Sequence, residues 1–456
     1  MSHSTHILVY PFAPSGHFIP LLDLTHLLLS RGLTITIVVS ATNLPLLDPL
    51  VSSHPSSFHK LLMPDPDHSP FPHPLIAKVM ATQQLFDPIV KWFKSHPSPP
   101  VAIISDFLLG WTNDLASHLG IRHVVFSPSG ALGYSIFNML WRDALEINAL
   151  HGDNGDESYM LSFSEIPYSP ELPWWQLSPM WRSYNKGEPG FESFRKGILD
   201  NMTSWGIVYN TFEGLEGDYI DYLKRQAGHD RVWAVGPLLP DDDGPLSSTT
   251  RGGFSVVQPD DLLMWLDQKR DDSVVYICFG SLVTLNEEEM KALTDALKLS
   301  NVDFILCVHE SGSSLIPSGF ERHVGGRGFI VIGWAPQLTI LQHRAVGSFV
   351  THCGWNSTLE GVTSGVTMLT WPMGADQFAN AMLLVDRLGV GKRVCGSGPE
   401  SVPNPLELAR LLDESLNVDR PERVKVKELS RAAIKAIKEG TSVTNLNTFV
   451  KLLYEL

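Results

Sequence analysis

Short apolar, β-branched runs alternate along the chain with segments whose apolar residues recur at helical spacing. In the first half, the pattern predicts strands at Ile7–Pro11, Thr34–Val39, Ala102–Ser105, His123–Phe126 and Trp205–Tyr209. Between the first two strands, Ile19–Leu29 has the apolar periodicity of a helix and ends at Arg31-Gly32, a common helix stop. Alternation of this kind indicates βαβ units and a parallel sheet.

The same alternation begins again after a polar segment at residues 239–256. That segment is rich in Asp, Gly, Ser and Thr and lacks apolar periodicity, so it is predicted to be a linker. Beyond it, SVVYICFGS predicts a strand and EEEMKALTDALKL a helix. Further strands are predicted at Asp303–Val308, Phe329–Ile332, Gly347–Thr351 and Met368–Trp371.

The two halves therefore predict an α/β protein with two doubly wound, Rossmann-like domains, residues 1–238 and 257–456. We expect them to face each other across a cleft, since open parallel sheets bind ligands at the carboxyl ends of their strands. The last helix, about residues 440–456, could pack back on the first domain.

One irregular segment, about residues 150–190, interrupts the first half. It contains prolines and the aromatic residues Trp174, Trp175 and Trp181. Long irregular segments in compact domains are often functional, and these rings could stack on a flat aromatic ligand. They could equally fix the loop to the core, and both interpretations stay open at this point.

Composition narrows the possible partners. The chain has 456 residues, 43% of them hydrophobic, and a formal net charge of −15, which argues against nucleic-acid binding. No signal peptide and no apolar run of about 20 residues is visible, so we expect a cytoplasmic protein without a membrane span. The four cysteines show no CxxC spacing and are predicted to be free thiols. The sequence leaves the oligomeric state open, although a monomer is expected.

The most informative motif follows the strand Gly347–Thr351. His352-Cys353-Gly354-Trp355-Asn356-Ser357 leads into an apolar helix that contains Glu360. A helix N-terminus offers unpaired N–H groups and a positive dipole end, which suits a diphosphate. The side chains of His352, Asn356 and Ser357 could add donors, and Gly354 would let the backbone approach closely.

The stretch from Trp334 to Gln377 resembles the signature box of plant family 1 UDP-glycosyltransferases at nearly every fixed position. The GHFIP element near residue 16 and the ending EGTSVTNLNTFV extend the resemblance over the chain. One departure is Thr367, where the family usually has proline. The resemblance implies an enzyme of the GT-B fold type, a hexosyltransferase whose co-substrate is a UDP-sugar, with no cofactor and no metal.

The resemblance also assigns roles in donor binding. Trp334 would stack on uracil, the Ala335 backbone would pair with its polar edge, and Gln337 and Glu360 would bind the ribose hydroxyls. Ser281, in the turn after the strand of the second domain, would reach the phosphates, unless it is a helix N-cap. The residues that match the hexose-binding positions are Trp355, Asp376 and Gln377, and glutamine at the last of them favours glucose.

Transfer to a hydroxyl needs a base, and His17 lies between the first strand and the first helix. A helix N-terminus disfavours the protonated imidazole, and a neutral ring can accept a proton near pH 7. Asp106 follows a strand on the same rim and could orient that ring. GHFIP and the SDFLLGW segment match the family elements that carry this catalytic pair.

The acceptor site is less clearly encoded. Residues near the His17 turn and in the irregular segment predict an aromatic pocket, namely Phe12, Phe18, Phe126, Trp141 and Trp174, although core packing would explain most of them. Within the family, the resemblance favours flavonols, often at the 7-hydroxyl, or simple phenolics such as hydroxybenzoates. The alternatives are a rhamnosyl or xylosyl transferase, a nicotinamide-dependent oxidoreductase, for which GxGxxG is missing, and a non-catalytic nucleotide-sugar-binding protein.

Overall fold

A computed structural model describes residues 5–67, 71, 73–151, 156–240, 259–396, 398 and 401–456. The chain divides into two compact units: a first unit of Met1–Leu246 with Ala436–Leu456, and a second unit of Ser247–Lys435. Most of the linker predicted at residues 239–256 lies outside the described residues. The predicted domain boundaries therefore stay a prediction.

The first unit is built on a seven-stranded parallel sheet with the order β3-β2-β1-β4-β5-β8-β9. Its strands are β1 (His6–Tyr10), β2 (Thr34–Val39), β3 (Phe58–Leu62), β4 (Ala102–Asp106), β5 (Arg122–Ser127), β8 (Gly206–Tyr209) and β9 (Val232–Ala234). A separate antiparallel hairpin consists of β6 (Met160–Ser162) and β7 (Glu171–Pro173).

Helices surround this sheet. They are α1 (Ser15–Leu29), α2 (Asp48–Ser53), α3 (Pro74–Thr82), α4 (Phe86–Ser95), α5 (Thr112–Leu119), α6 (Ala131–Arg142), α7 (Ala144–His151), α8 (Pro179–Arg182), α9 (Pro189–Asp200), α10 (Glu213–Ala227) and the distant α19 (Thr441–Tyr454). Strands β1 and β4 are buried along their whole length, as expected for parallel strands covered on both faces.

The second unit has a six-stranded parallel sheet with the order β12-β11-β10-β13-β14-β15. Its strands are β10 (Val274–Cys278), β11 (Asp303–Val308), β12 (Gly328–Ile332), β13 (Val346–Thr351), β14 (Thr367–Thr370) and β15 (Gly391–Arg393). Its helices are α11 (Pro259–Asp267), α12 (Glu287–Leu299), α13 (Phe320–Val324), α14 (Gln337–Gln342), α15 (Trp355–Ser364), α16 (Gln377–Met382), α17 (Pro405–Ser415) and α18 (Pro421–Lys438).

Helix α19 belongs to the first unit although it follows the second unit in the chain. Its apolar face, including Leu446, Phe449 and Leu453, is part of the hydrophobic core around β1, β2 and α1. Ser442 Oγ donates a hydrogen bond to the carbonyl of Gly236 at 2.6 Å, which fixes the start of the helix. The helix therefore completes the core of the first unit.

The α/β class with two parallel sheets is confirmed. Most predicted strands match the observed ones within one or two residues, and Thr34–Val39 and Asp303–Val308 match completely. The edge strands β3, β9 and β15 were not predicted, because they are short or carry polar residues. The irregular segment contains the hairpin β6–β7 and the short helix α8. These elements were not predicted, because the prolines of the segment interrupt any regular apolar pattern.

A buried carboxylate joins two helices of the first unit. Glu216 accepts hydrogen bonds from the N–H groups of Ala131 and Leu132, both at 2.8 Å, and from Thr211 Oγ1 at 2.6 Å. It reaches them because α10 has a local non-helical residue at Glu216 itself. The N-cap of α6 is Gly130, which supplies no side-chain hydrogen bond, so the Glu216 carboxylate satisfies the first N–H groups of the helix.

Replacement of Glu216 by glutamine is expected to destabilise the first unit. The new amide would direct a donor at groups that are themselves donors, and we expect a loss of about 2–4 kcal/mol. Glu213→Gln in the same helix, at an exposed position, removes the same charge and should cost less than about 0.5 kcal/mol. Urea unfolding of the two variants measures the difference, and equal midpoints would contradict the capping role.

Candidate active site

In the first unit, the two predicted catalytic residues lie where the strand order of the sheet reverses. Strands β2 and β3 extend to one side of β1, and β5, β8 and β9 extend beyond β4. Strands β1 and β4 are paired, with Tyr10 opposite Ser105 at their carboxyl ends. His17 is in the first turn of α1, which follows β1, and Asp106 is the last residue of β4. Such reversal points are the usual ligand sites of open parallel sheets.

The side chains of His17 and Asp106 are hydrogen-bonded. Nδ1 of His17 lies 2.8 Å from Oδ2 of Asp106, whose other oxygen, Oδ1, accepts the N–H of Leu108 at 2.9 Å. Asp106 is fully buried, whereas 23% of the His17 side chain is exposed. An ionised carboxylate has no proton to give, so Nδ1 is the donor and the lone pair of the neutral ring is on Nε2.

Two aromatic rings hold the imidazole of His17. The ring of Phe12 meets it edge to face at 5.5 Å, and that of Phe107 is stacked on it at 5.9 Å with an interplanar angle of 21°. Phe12 was among the predicted acceptor residues, but Phe107 was not predicted. The signal that could have found it is its position directly after Asp106, in the short 3₁₀ turn Phe107–Leu109.

The other predicted acceptor residues are buried among apolar and aromatic side chains. Phe18 and Phe126 are in the hydrophobic core around the sheet. Trp141 is fully buried with ring contacts that include Phe194 at 5.1 Å, and Trp174 contacts Trp181 at 5.2 Å. Packing explains the burial of these four residues, and a contact with the acceptor stays a prediction for each of them.

The second unit has its own reversal point, between β10 and β13. These strands are paired, with Cys278 opposite Thr351 at their carboxyl ends. The turn Phe279-Gly280-Ser281 follows β10, and His352-Cys353-Gly354 follows β13. The predicted phosphate-binding residues from both turns are thus brought together by strand pairing.

The imidazole of His352 lies against two glycines. A Cβ atom at Gly280 would be 2.7 Å from Nε2 of His352, and one at Gly354 would be 2.5 Å from the same atom. Within the described residues, Nδ1 of His352 is buried without a hydrogen-bond partner. Burial of the ring lowers its pKa to about 4, so the imidazole is neutral at pH 7.

Helix α15 begins directly after the His352 turn, and its N-terminus is suited to binding an anion. Its N-cap is Gly354, which supplies no side-chain hydrogen bond, and its first turn carries no acidic residue. Cys353 has a positive φ of 64°, a strained conformation for a residue other than glycine, and its carbonyl accepts a 2.9 Å hydrogen bond from Nδ2 of Asn380. The backbone N–H groups of the first helical turn and Asn356 could bind a phosphate here.

A polar cluster forms the predicted ribose site. Nε2 of Gln337 donates to Oε2 of Glu360 at 2.8 Å and lies 2.9 Å from Oγ of Ser357. Tyr276 donates its hydroxyl to Oε1 of Gln337 at 3.4 Å. These contacts orient Glu360, whose carboxylate can accept hydrogen bonds from two adjacent hydroxyls.

The residues just before this cluster fit the predicted uracil site. Trp334 is half-buried and Ala335 is buried, between the end of β12 and the start of α14. Partial exposure leaves the indole of Trp334 with surface for stacking. Its contact with uracil stays a prediction.

The predicted hexose residues surround the start of α16. Oε1 of Gln377 accepts the N–H groups of Met373 and Gly374, at 2.7 and 2.9 Å, so its oxygen is used by the loop. Its amide nitrogen is the group left to donate to a sugar hydroxyl. Asp376 is the N-cap residue of α16, and Trp355 is buried at the start of α15.

The structure answers the alternative raised for Ser281, that it is a helix N-cap. Ser281 is exposed and is not the N-cap of the following helix, because Asn286 caps α12 with a complete capping box. Asp114, another carboxylate close to Asp106 in sequence, forms an exposed ion pair with Lys196 at 3.1 Å.

Two absences concern only the part of the chain that the structure describes. Within it, no group of three or more His, Cys, Asp or Glu side chains is arranged to hold a metal ion. In the same residues, no helix combines the length and the apolar character needed to cross a bilayer. All four cysteines are free thiols.

Comparison with known proteins identifies the class of enzyme. Residues 252–395 match the family model described as UDP-glucoronosyl and UDP-glucosyl transferase. The flavonol 3-O-glucosyltransferase UGT89B1 of Arabidopsis thaliana is 45% identical over 475 residues, which cover 99% of this chain and 97% of that protein. The chain therefore belongs to the plant family 1 UDP-glycosyltransferases. It is an enzyme that uses a UDP-sugar as co-substrate, as predicted.

Solved structures agree. The crystal structure of Arabidopsis thaliana UGT89C1 complexed with UDP-L-rhamnose has a TM-score of 0.80 and 36% identity, covering 99% of this chain and 100% of that chain. The complex of the same protein with quercetin has a TM-score of 0.78 and 35% identity, with 99% of both chains covered. The predicted GT-B fold type, composed of two Rossmann-like domains, is confirmed.

Substitution of Gly280 by alanine tests the contact with His352. The new methyl group would push against Nε2, and we expect UDP to bind about tenfold more weakly, or about 1.4 kcal/mol. Gly326→Ala is the matched control, because Gly326 has a similar φ of 82° but no atom within 4 Å of the added Cβ. Calorimetric titration with UDP compares the two variants. Equal affinities would mean that the position of His352 does not matter for the nucleotide.

Proposed function

We propose that this enzyme transfers glucose from UDP-glucose to a hydroxyl of a small aromatic acceptor, a flavonol or a simple phenolic such as a hydroxybenzoate, with inversion at the anomeric carbon. The observation that carries the proposal is the hydrogen bond between Nδ1 of His17 and the buried carboxylate of Asp106. A binding protein would not need this base. No observation favours the non-catalytic alternative.

The base would act through Nε2 of His17. As the acceptor oxygen forms its bond to the anomeric carbon, its proton passes to Nε2, and the bond between that carbon and the phosphate oxygen breaks. The ring then carries a positive charge, which the carboxylate of Asp106 stabilises from the other side. A single displacement inverts the configuration, so that an α-linked donor gives a β-glycoside.

The second unit would stabilise the leaving UDP. Negative charge accumulates on the β-phosphate as the glycosidic bond breaks, and the positive dipole end of α15, whose first turn carries no acidic residue, suits that charge. His352 and Ser281 lie on the two neighbouring turns that follow paired strands. The Gln337–Glu360 cluster would bind the ribose.

Two parts of the proposal have competing candidates: the sugar that is transferred and the acceptor hydroxyl that receives it. The 45% identical relative is named as a flavonol 3-O-glucosyltransferase, whereas a similar solved structure holds UDP-L-rhamnose. Gln377 at the end of the box supports glucose, and rhamnose is the second candidate. For the acceptor, the relative's name and the quercetin complex support a flavonol, and both the 7-hydroxyl and the 3-hydroxyl need to be examined.

The first experiment incubates the purified chain with UDP-glucose, UDP-galactose, UDP-rhamnose or UDP-xylose and a panel of flavonols, hydroxybenzoates and terpenoid alcohols. We expect β-glucosides of flavonols or benzoates, without added metal, identified by mass and by the position of the sugar. His17→Ala should lower kcat at least 100-fold, because the base is lost. Turnover only with UDP-rhamnose would overturn glucose, and unchanged turnover in His17→Ala would overturn the base.

Gln377→Glu separates the two tasks of Gln377. Glutamate keeps the oxygen that accepts the N–H groups of Met373 and Gly374 but loses the amide donor. We expect an unchanged affinity for UDP, which lacks the sugar, and a kcat/KM for UDP-glucose that falls about tenfold or more. Gln377→Ala, the comparison variant, loses both contacts. If Gln377→Glu used UDP-glucose as well as the parent does, the sugar would not be recognised by this amide.

A further inference from the structure

The short turn that follows Asp106 makes two contacts with the catalytic pair. The N–H of Leu108 donates to Oδ1 of Asp106, and the ring of Phe107 is stacked on that of His17. A shift of this turn would therefore move both the carboxylate and the imidazole. What holds the turn in place then matters for the reaction.

Helix α9 lies directly behind the turn. A Cβ atom at Gly110, which ends the turn, would be 2.1 Å from the carbonyl oxygen of Gly197 in α9, so the two backbones are in contact. Two glycines facing each other allow this approach, since any side chain at Gly110 would displace one of the two segments. The contact with α9 therefore limits how far the turn can shift toward the helix.

Asn201, directly after α9, adds a polar contact to this packing. Its Nδ2 donates a 2.7 Å hydrogen bond to the carbonyl oxygen of Phe107, and the side chain is completely buried. On the other side of the turn, Oγ1 of Thr112 donates to the carbonyl of Leu109 at 2.7 Å. The Phe107 carbonyl belongs to the same residue whose ring contacts His17, so the amide of Asn201 restrains that residue directly.

We propose that Asn201 is a positioning residue for the His17–Asp106 pair, acting through the carbonyl of Phe107. The inference rests on the proposed role of His17 as the base. Asn201 does not touch the reacting atoms. It holds the turn so that the Asp106 carboxylate and the Phe107 ring fix the imidazole in one orientation, and a small change of that orientation is costly for proton transfer.

The test is a double-mutant cycle between Asn201→Ala and Asp106→Ala, with glucoside formation measured by product mass. If Asn201 acts through the turn and the carboxylate, Asn201→Ala should lower kcat about tenfold in the parent enzyme and less than about twofold when Asp106 is already replaced. The KM for UDP-glucose should stay within about twofold of the parent value, because the donor residues are in the second unit.

Ser204→Ala is the matched control. Ser204 is also buried near the end of α9, and its Oγ donates to the carbonyl of Gly206 at 3.1 Å, away from the turn. It should leave kcat unchanged in both backgrounds. If Asn201→Ala does not fold, Gly197→Ala is a second probe, since its Cβ would lie 3.1–3.2 Å from backbone atoms of Gly110 and Trp111 and would press on the same turn.

Equal losses of kcat in both backgrounds would overturn the proposal, because they would show a general effect on the fold. No loss in the parent enzyme would also overturn it. Failure of the proposed function has a different signature, namely full turnover by His17→Ala. A kcat that falls with His17→Ala but is independent of residue 201 would leave the base in place and remove only the role of Asn201.

Discussion

The constraint on the predicted catalytic pair is that the carboxyl group of Asp106 is fully buried. A carboxylate removed from water is stable only if its oxygens accept hydrogen bonds, and each oxygen of Asp106 has one: the N–H of Leu108 and Nδ1 of His17. The first comes from the backbone immediately after β4 and the second from the start of α1. Pairing of β1 with β4 brings these two segments together, so the sheet topology positions both hydrogen-bond donors of Asp106.

The second unit faces a different electrostatic requirement from that of the buried carboxylate in the first unit. The UDP site proposed there has to attract negative charge rather than contain it, and the groups proposed for this task are backbone N–H groups and neutral side chains. The imidazole of His352 is uncharged, with a pKa lowered to about 4 by burial, and the glycines at 280 and 354 leave room for its ring. A formal net charge of −15 is therefore compatible with a diphosphate ligand, because attraction depends on local dipoles and not on total charge.

The sequence predicted the fold class and most central strands, because buried parallel strands have a strong apolar, β-branched signal. It could not predict the edge strands such as β15, where Gly391–Arg393 has no such signal. The resemblance to a known family supplied His17 and Asp106, and the geometry brings the two side chains together. Phe107 and Asn201 were missed, because a ring contact and a hydrogen bond across 94 positions leave no periodic pattern. Phe18 and Phe126 were predicted for the acceptor pocket but are part of the hydrophobic core. The sequence could not separate these roles, because an aromatic residue next to the His17 turn has the same sequence pattern whether it contacts a ligand or the core.

Helix α19 has a consequence for the order in which the protein can fold. Leu446, Phe449 and Leu453 are part of the core of the first unit, yet they are translated after the whole of the second unit. Because chains emerge from the ribosome from the N-terminus onward, the sheet that contains β1 and β4 leaves the ribosome first but has to wait for these side chains. The second unit, although it is translated later, has its complete sequence available earlier. The first unit therefore lacks the apolar side chains of α19 while the second unit is synthesised, and apolar surface left uncovered in that period favours aggregation.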